Sequence, residues 1–188
     1  MTKIHLFAIP AAALYLLVPA TLATPAQAAD GPTDAQIVGI VLAADQIDID
    51  YGKIALAKSK NKGVREFAQR MITDHSAVQQ SVIGLAAKLG VSGESSPTSE
   101  GLKQGSVEIT AQLHKLTGKE FDKFYITNEV NYHATVTGAV DGVLIPNAQN
   151  AELKAALQGA QPLFLKHLEH ARTLQSGSQA MGGMKHSK

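Results

Sequence analysis

Five side chains that can bind protons or metal ions interrupt the apolar stripes of four predicted helices. They are Asp48, His75, Glu129, His133 and His167, and each stands where an aliphatic residue would be expected. Burying such groups costs free energy unless they find partners, so their convergence predicts a polar site inside a helical bundle. Carboxylates and neutral imidazoles bind Fe, Mn or Zn, and these five side chains would supply a mixed nitrogen and oxygen shell for one such ion.

Each of these residues also has an ordinary structural explanation. Asp48 could lie at the edge of its stripe and accept a hydrogen bond from Tyr51 or a lysine. His75 could be a core histidine whose ring nitrogens are both satisfied. Glu129 and His133 are four residues apart and could pair on a helix surface. In a purely structural alternative, a buried polar layer fixes the register of the helices through hydrogen bonds.

Hydrophobic periodicity predicts the helices that would position these residues. The first begins at a capping box formed by Thr33 and Gln36, and the apolar positions of the second are spaced 4-3-4-3. Pro162 lies within the last and predicts a kink or a restart. The predicted helices cover residues 34–59, 64–89, 100–115, 117–144 and 150–175. The predicted fold is all-α, an antiparallel four-helix bundle with an extra short helix between its second and third helices.

The heights of the polar residues along these helices can be compared, because a helix rises about 1.5 Å per residue. Measured from the turn near Asn61, Asp48 lies roughly 20 Å along the first helix and His75 roughly 21 Å along the second. From the turn near residue 147, the distances are roughly 21, 27 and 30 Å for His133, Glu129 and His167. This predicts that Asp48, His75 and His133 share a layer, whereas Glu129 and His167 meet about one helical turn away.

The two ends of the chain differ in composition from the predicted bundle. Lys3 precedes an apolar run over residues 6–23, and small residues around Ala28 follow. This order predicts a signal peptide over residues 1–28, cleaved after Ala28, and export to a bacterial periplasm. The bundle would then cover residues 29–175, and the Gly/Ser-rich residues 176–188 would form a disordered tail.

Composition limits the classes of partner. Once Lys3 is removed with the leader, 16 basic and 16 acidic residues remain, without a basic block that could follow a phosphate backbone. Nucleic acid is therefore not an expected partner. No second apolar stretch is long enough to span a membrane, so the mature chain is expected to have no transmembrane segment. The chain has no cysteine and so cannot form disulfides. Its sequence names no protein partner and leaves a homo-oligomer open.

Di-iron bundles carry a Glu-x-x-His motif on two helices, and this chain has none. Without the glutamates of this motif, the chain lacks the carboxylates that would bridge two metal ions, which argues against the usual ferroxidase chemistry. One Fe, Mn or Zn ion remains compatible with the sequence. The leading functional hypothesis is a non-catalytic binding or stress-related accessory protein. The alternative is a metal-dependent oxidase or peroxide-handling enzyme with a non-standard site, for which Tyr51, Tyr125 and Tyr132 could supply nearby phenols.

Four motifs in order resemble a known family. They are DIDYGKIA from residue 48, VREFAQRMITDH from residue 64, LTGKEFDKFY from residue 116, followed by His133, and PLFLKHL from residue 162. Over residues 33–175 the chain resembles the exported bacterial proteins of "domain of unknown function 4142", which are regarded as ferritin-like and often labelled outer-membrane proteins. The resemblance implies a ferritin-like bundle and an exported location, but no activity. The family usually has Glu where Asp48 stands here.

Overall fold

The computed structural model describes the backbone of residues 31–183 and the side chains of residues 31–177. Within this range there are five helices longer than one turn and no strand, which confirms the all-α class and the additional helix. They are α1 (Asp34–Lys58), α2 (Lys62–Leu89), α3 (Pro97–Lys115), α4 (Gly118–Ala139) and α5 (Ala151–Gly183). None of the described helices combines the length and the apolar character needed to cross a membrane. The predicted signal peptide, residues 1–28, lies outside the described residues.

Helix α1 is buried over most of its surface, and its exposed residues form one stripe, Gln46, Asp50, Lys53 and Ala57. It begins with the predicted capping box, in which the Thr33 hydroxyl accepts a hydrogen bond from the Gln36 backbone N–H at 3.2 Å. α2 packs along one side of α1 and α3 along another. The segment before α3 also approaches α1 closely, because the Glu94 N–H donates to the Ala35 carbonyl at 2.9 Å. These contacts cover the other faces of α1, so Asp45 and Asp48 in its middle are removed from water.

Helices α1 and α2 form a close pair joined by a short turn. Asn61 caps α2 by accepting hydrogen bonds from two backbone N–H groups of its first turn, and Gly90 ends the helix in a left-handed conformation with φ of 67°. Gly52 permits the close approach of the two helices. A Cβ atom at that position would lie 3.1 Å from the Ala68 carbonyl oxygen.

The C-terminal half differs from the predicted pattern in three ways. The helical course of α4 continues through a π-helical segment, Val140–Leu144, and a single α-turn, Ile145–Asn147. α5 runs through Pro162 without a restart, because this exposed proline removes only one backbone donor and the helix is held by packing on α4 and α2. α5 also continues to Gly183, into the predicted disordered tail. Adding a residue to an existing helix is much easier than nucleating one, which favours this extension.

The apolar core is divided into two clusters. Cluster I consists of Ile47, Tyr51, Ala55, Val64, Phe67, Ala68, Met71, Leu113, Phe121, Tyr125, Ile126 and Ala171. Cluster II consists of Ile37, Val38, Ile40, Val41, Val82, Ala86, Val140, Leu144, Ala148, Leu153 and Leu157. Helices α1 and α5 run from cluster II to cluster I, and α2 and α4 run in the opposite direction. The middle of each of these four helices therefore lies between the clusters.

Candidate metal centre

Polar side chains from four helices form one buried layer between clusters I and II. α1 contributes two aspartates, α2 one histidine, α4 a glutamate and a histidine, and α5 one histidine. These residues are Asp45, Asp48, His75, Glu129, His133 and His167, each at most 3% exposed. Aliphatic and aromatic packing on both sides explains the burial of these groups.

The three histidine rings of the layer stand in a triangle. The centroid of His75 lies 5.6 Å from that of His133 and 5.2 Å from that of His167, and the latter two are 5.3 Å apart. Phe164 stacks on the His75 ring with a centroid distance of 5.4 Å and an interplanar angle of 8°. This stacking fixes the plane of one ring of the triangle.

One nitrogen of each ring is held by an oxygen acceptor. Nδ1 of His75 lies 2.8 Å from the Asp45 carboxylate. Nε2 of His167 lies 2.9 Å from the Asp74 carboxylate. Nδ1 of His133 lies 3.1 Å from the backbone carbonyl oxygen of Glu129. A carboxylate or carbonyl can only accept, so each of these nitrogens carries the proton and donates.

The opposite nitrogen of each ring is buried without a hydrogen-bond partner among the described residues. These atoms are Nε2 of His75, Nε2 of His133 and Nδ1 of His167. In a ring that is protonated on one side only, as the lowered pKa values of His133 and His167 favour, the other nitrogen has a free lone pair. Metal-bound histidines show this same arrangement, in which one nitrogen donates to a carboxylate or carbonyl and the other binds the ion.

Two carboxylates face the same space. Neither oxygen of Asp48 and neither oxygen of Glu129 receives a hydrogen bond from an N–H or O–H group of the described residues. Oδ2 of Asp48 lies 2.7 Å from Nε2 of His75 and 3.4 Å from Nε2 of His133. The first of these contacts is an ion pair when His75 is protonated.

The layer shifts the pKa values of its groups in opposite directions. Burial by itself opposes ionisation of Asp48, but the neighbouring His75 and His133 outweigh it and lower the pKa of this carboxyl. Burial would lower the pKa of His75, yet the charge of Asp48 and the hydrogen bond to Asp45 raise it to about 10. Burial, reinforced by the Asp48 charge, raises the pKa of Glu129 well above its ordinary value.

The other two histidines are held neutral. Burial lowers the pKa of His133, and this effect exceeds the opposing attraction of Asp48. Burial also lowers the pKa of His167, to about 4, although the hydrogen bond to Asp74 acts in the opposite direction. Without a cation, then, charge compensation in the layer requires a proton on His75 and another on Glu129. A divalent cation would replace both.

The ligating atoms of the layer lie close together in two groups of three. One such atom from each of His75, His133 and His167 lies within 4.8 Å of the others, and the same holds for Asp48, Glu129 and His133. Two ligands of one ion with bonds of about 2.1 Å are at most about 4.2 Å apart, so the widest separations would have to close by up to about 0.6 Å around an ion. His133 belongs to both groups, so the two groups adjoin.

Sequence comparison places the chain in a known family. A family model described as "Domain of unknown function (DUF4142)" matches residues 19–174. The chain belongs to this family. Searches of curated proteins and of solved structures give no match. The resemblance to this family inferred from the four motifs is thus confirmed. The family description assigns no activity, so the chemistry of this DUF4142 member rests on its own side chains.

All five residues singled out in the sequence come together in this layer. The surface-pair explanation of Glu129 and His133 is wrong, because these side chains are 0% and 1% exposed. The edge position considered for Asp48 is also wrong, since this side chain is 0% exposed. The predicted meeting of Glu129 with His167 is not observed. His167 groups instead with the other two histidines, while Glu129 groups with Asp48.

Two further residues of the site, Asp45 and Asp74, were not predicted, whereas Tyr125 is one of the nearby phenols expected from the sequence. Asp45 and Asp74 hold the outward nitrogens of two histidines. Asp45 lies three residues before Asp48 on the same helix face, and this second acid on a mostly aliphatic face was a usable signal. Tyr125 is 0% exposed, and its hydroxyl has no hydrogen-bond partner among the described residues. Burial, with Glu129 nearby, raises the pKa of this phenol.

Proposed function

We propose that this chain is an exported, ferritin-like four-helix bundle that binds one divalent transition-metal ion at the buried layer and does not turn over a substrate. The five ligands would be Asp48, His75, Glu129, His133 and His167. The observation that carries the proposal is the orientation of the three histidines. Each donates a hydrogen bond outward through one nitrogen and leaves the other unpartnered inside the layer.

A purely structural polar layer would be expected to satisfy its own donors and acceptors. Here three ring nitrogens and four carboxylate oxygens are buried without conventional hydrogen bonds among the described residues. Leaving such groups unpaired is costly, because each loses its hydration without replacement. The ion pair of His75 with Asp48 provides one contact within the layer, but Nε2 of His133 and Nδ1 of His167 remain without a donor among the described residues. A bound cation would satisfy these lone pairs together with the carboxylate oxygens. These unpaired atoms favour a metal site over a network of hydrogen bonds that only fixes the register of the helices.

The donor set restricts the identity of the ion. Three imidazole nitrogens with two carboxylate oxygens suit Zn, Fe or Mn, and the lack of thiolates and thioethers disfavours soft ions such as Cu(I). The two carboxylates would balance the charge of a divalent ion. We therefore propose a site for Zn²⁺, Fe²⁺ or Mn²⁺, and zinc is the most convenient probe because it has no redox chemistry.

The ferritin-like arrangement is supported by the directions of the helices. α2 and α4 cross the two apolar clusters in the same order, because α3 leads the chain back along α1 before α4 begins. One long crossover of this kind is a feature of ferritin-like bundles. The exported location is supported by the leader pattern of residues 1–28, and we propose the periplasm as the site of action.

Elemental analysis of untagged protein tests the proposal, followed by titration of the chelator-stripped protein with Zn²⁺ in competition with a chromophoric chelator. One ion per chain is expected. His133→Ala should weaken zinc binding by more than the about ten- to hundredfold loss caused by removing a residue that only orients a ligand. His114→Ala, at an exposed position on α3, is the matched control. Unchanged zinc affinity in a folded His133→Ala variant would remove the proposal.

A second candidate function is a metal-dependent oxidase or peroxide-handling enzyme. The observation that favours it is the buried, unpartnered hydroxyl of Tyr125 beside Glu129, which would place an oxidisable ring next to a bound ion. Protein loaded with Fe²⁺ would then consume oxygen or peroxide, and Tyr125→Phe would alter the rate. Iron-loaded protein that leaves both oxidants unconsumed would exclude this candidate.

A further inference from the structure

A cavity of about 500 Å³ lies on the cluster II side of the polar layer. α1, α2 and α5 form most of its wall, with contributions from α3 and from the end of α4. None of the five proposed metal ligands lines it. Its size falls within the range of about 300–1,000 Å³ found for small-molecule sites. The cavity is therefore a second site, separate from the metal layer.

The wall of this cavity is mainly aliphatic, with Val41, Val82, Leu144 and Leu157 among its residues. A few hydroxyls are present, but none of the lining residues is Lys, Arg or His. The cavity opens to solvent, since Ser81 and Thr135 on its wall are exposed, so a ligand can reach the apolar wall. The wall thus suits an aliphatic body, and it offers no cation to pair with an acidic head group.

One end of the cavity is polar and already built. Asp45 lines the cavity and is 2% exposed. Its Oδ1 atom accepts a hydrogen bond from His75, whereas its Oδ2 atom is buried without a partner among the described residues. Asp74 also lines the cavity and is held by His167. An unpartnered carboxylate oxygen in a buried setting requires a hydrogen-bond donor.

The backbone next to the cavity provides an independent indication. The π-helical segment Val140–Leu144 supplies two of the lining residues, Val140 and Leu144. π-helical turns are rare and occur frequently at functional sites. Here the irregular turn lies against the wall of the cavity rather than at a free helix end.

We propose that this cavity binds an aliphatic molecule whose single polar head is a hydrogen-bond donor without negative charge, an alcohol or an amine. The alkyl chain of this molecule lies among the aliphatic residues of cluster II. Its polar head donates a hydrogen bond to the free oxygen of Asp45. A fatty acid with an equally long alkyl chain is excluded as the ligand, because its carboxylate would meet the Asp45 and Asp74 carboxylates without a compensating cation.

Isothermal titration of the full chain with three eight-carbon probes tests this proposal. Octan-1-ol, octylamine and octanoate share the same chain and differ only in the head group. We expect the alcohol or the amine to bind at least tenfold more tightly than octanoate. Octanoate binding as tightly as both, or no binding of any of the three, would overturn the proposal.

A matched pair of variants locates the binding. Ala156 lines the cavity, so Ala156→Phe should fill it and abolish binding of the probes. Ala155 is exposed on the same helix and does not line the cavity, so Ala155→Phe should leave binding unchanged. Probe binding that survives in a folded Ala156→Phe variant would contradict the assignment.

The outcome can be separated from that of the metal proposal. Each titration is made on chelator-stripped and on zinc-treated protein, and the zinc content is measured in parallel. If the chain binds the probes but no zinc, the cavity assignment stands without the metal centre. If it binds zinc but none of the probes, the cavity assignment alone fails.

Discussion

Asp45 holds Nδ1 of His75 at 2.8 Å, and both side chains are 3% exposed. This contact sets the direction of the imidazole, because it commits one nitrogen to a carboxylate and leaves the opposite nitrogen facing the layer. Asp45 also lines the adjacent cavity. A residue that is not itself a proposed ligand thus connects the two sites.

The Asp45–His75 contact predicts a measurable effect on metal affinity. Asp45→Asn keeps the shape of the side chain but removes its charge, so His75 should become a weaker ligand. Zinc affinity should fall about ten- to hundredfold, as for other residues that orient a metal-bound histidine, while the stoichiometry stays at one. Competition with a chromophoric chelator measures the change. Asp50→Asn, an exposed position on the same helix, should have no effect, and equal affinities for both variants would count against this role of Asp45.

Metal binding should release protons. In the absence of a cation, the pKa of about 10 keeps His75 protonated at neutral pH. Burial raises the pKa of Glu129, which also favours its protonated form. Coordination needs the deprotonated forms, so about one proton or more should leave for each zinc ion bound near pH 7. Titration calorimetry in buffers of different ionisation enthalpy measures this number. No net release would mean that His75 is not a ligand.

The stability of the metal-free protein should decrease as the pH rises above neutrality. The pKa of His75 is about 10 in the folded chain and 6.5 in the unfolded reference, so the native state binds this proton more tightly. The resulting stabilisation is complete below about pH 6.5 and is lost as the pH rises through 10. Urea unfolding in the presence of a chelator, from pH 6 to 10, measures it. His75→Gln should flatten this dependence relative to His114→Gln, and parallel curves would contradict the assignment.

Two glycine substitutions should have opposite effects on stability. A Cβ atom at Gly39 would lie 1.9 Å from the Glu94 carbonyl oxygen, whereas one at Gly84 has no neighbour within 4 Å. Gly39→Ala should therefore destabilise the fold by about 1–3 kcal/mol. Gly84→Ala, in the C-terminal part of α2, should stabilise it by about 0.5–1 kcal/mol. Thermal or urea denaturation measures both, and a stabilising Gly39→Ala would show that the segment before α3 does not pack on α1 as described.

The sequence predicted the helices and the polar layer well, because both depend on periodicity. The rise per residue placed Asp48, His75 and His133 at one height, and their contacts agree with that estimate. Periodicity indicates which face of a helix is buried. It does not indicate how a ring is rotated, and for this reason His167 was assigned to the wrong neighbour.

Features that depend on three-dimensional packing could not be predicted from the stripes. The role of Asp45 depends on a contact across 30 residues of sequence. The π-helical segment Val140–Leu144 follows α4 without a break in helical pattern, so nothing in its spacing marked it. The cavity lies between several helices, and the hydrophobic pattern along one helix does not indicate how much space remains between helices.

Anomalous diffraction from crystals soaked in zinc tests the metal centre most directly. We expect one strong peak inside the bundle, within bonding distance of the inward nitrogens of His75, His133 and His167 and of at least one layer carboxylate. Peaks confined to surface residues, with the layer free of density, would contradict it.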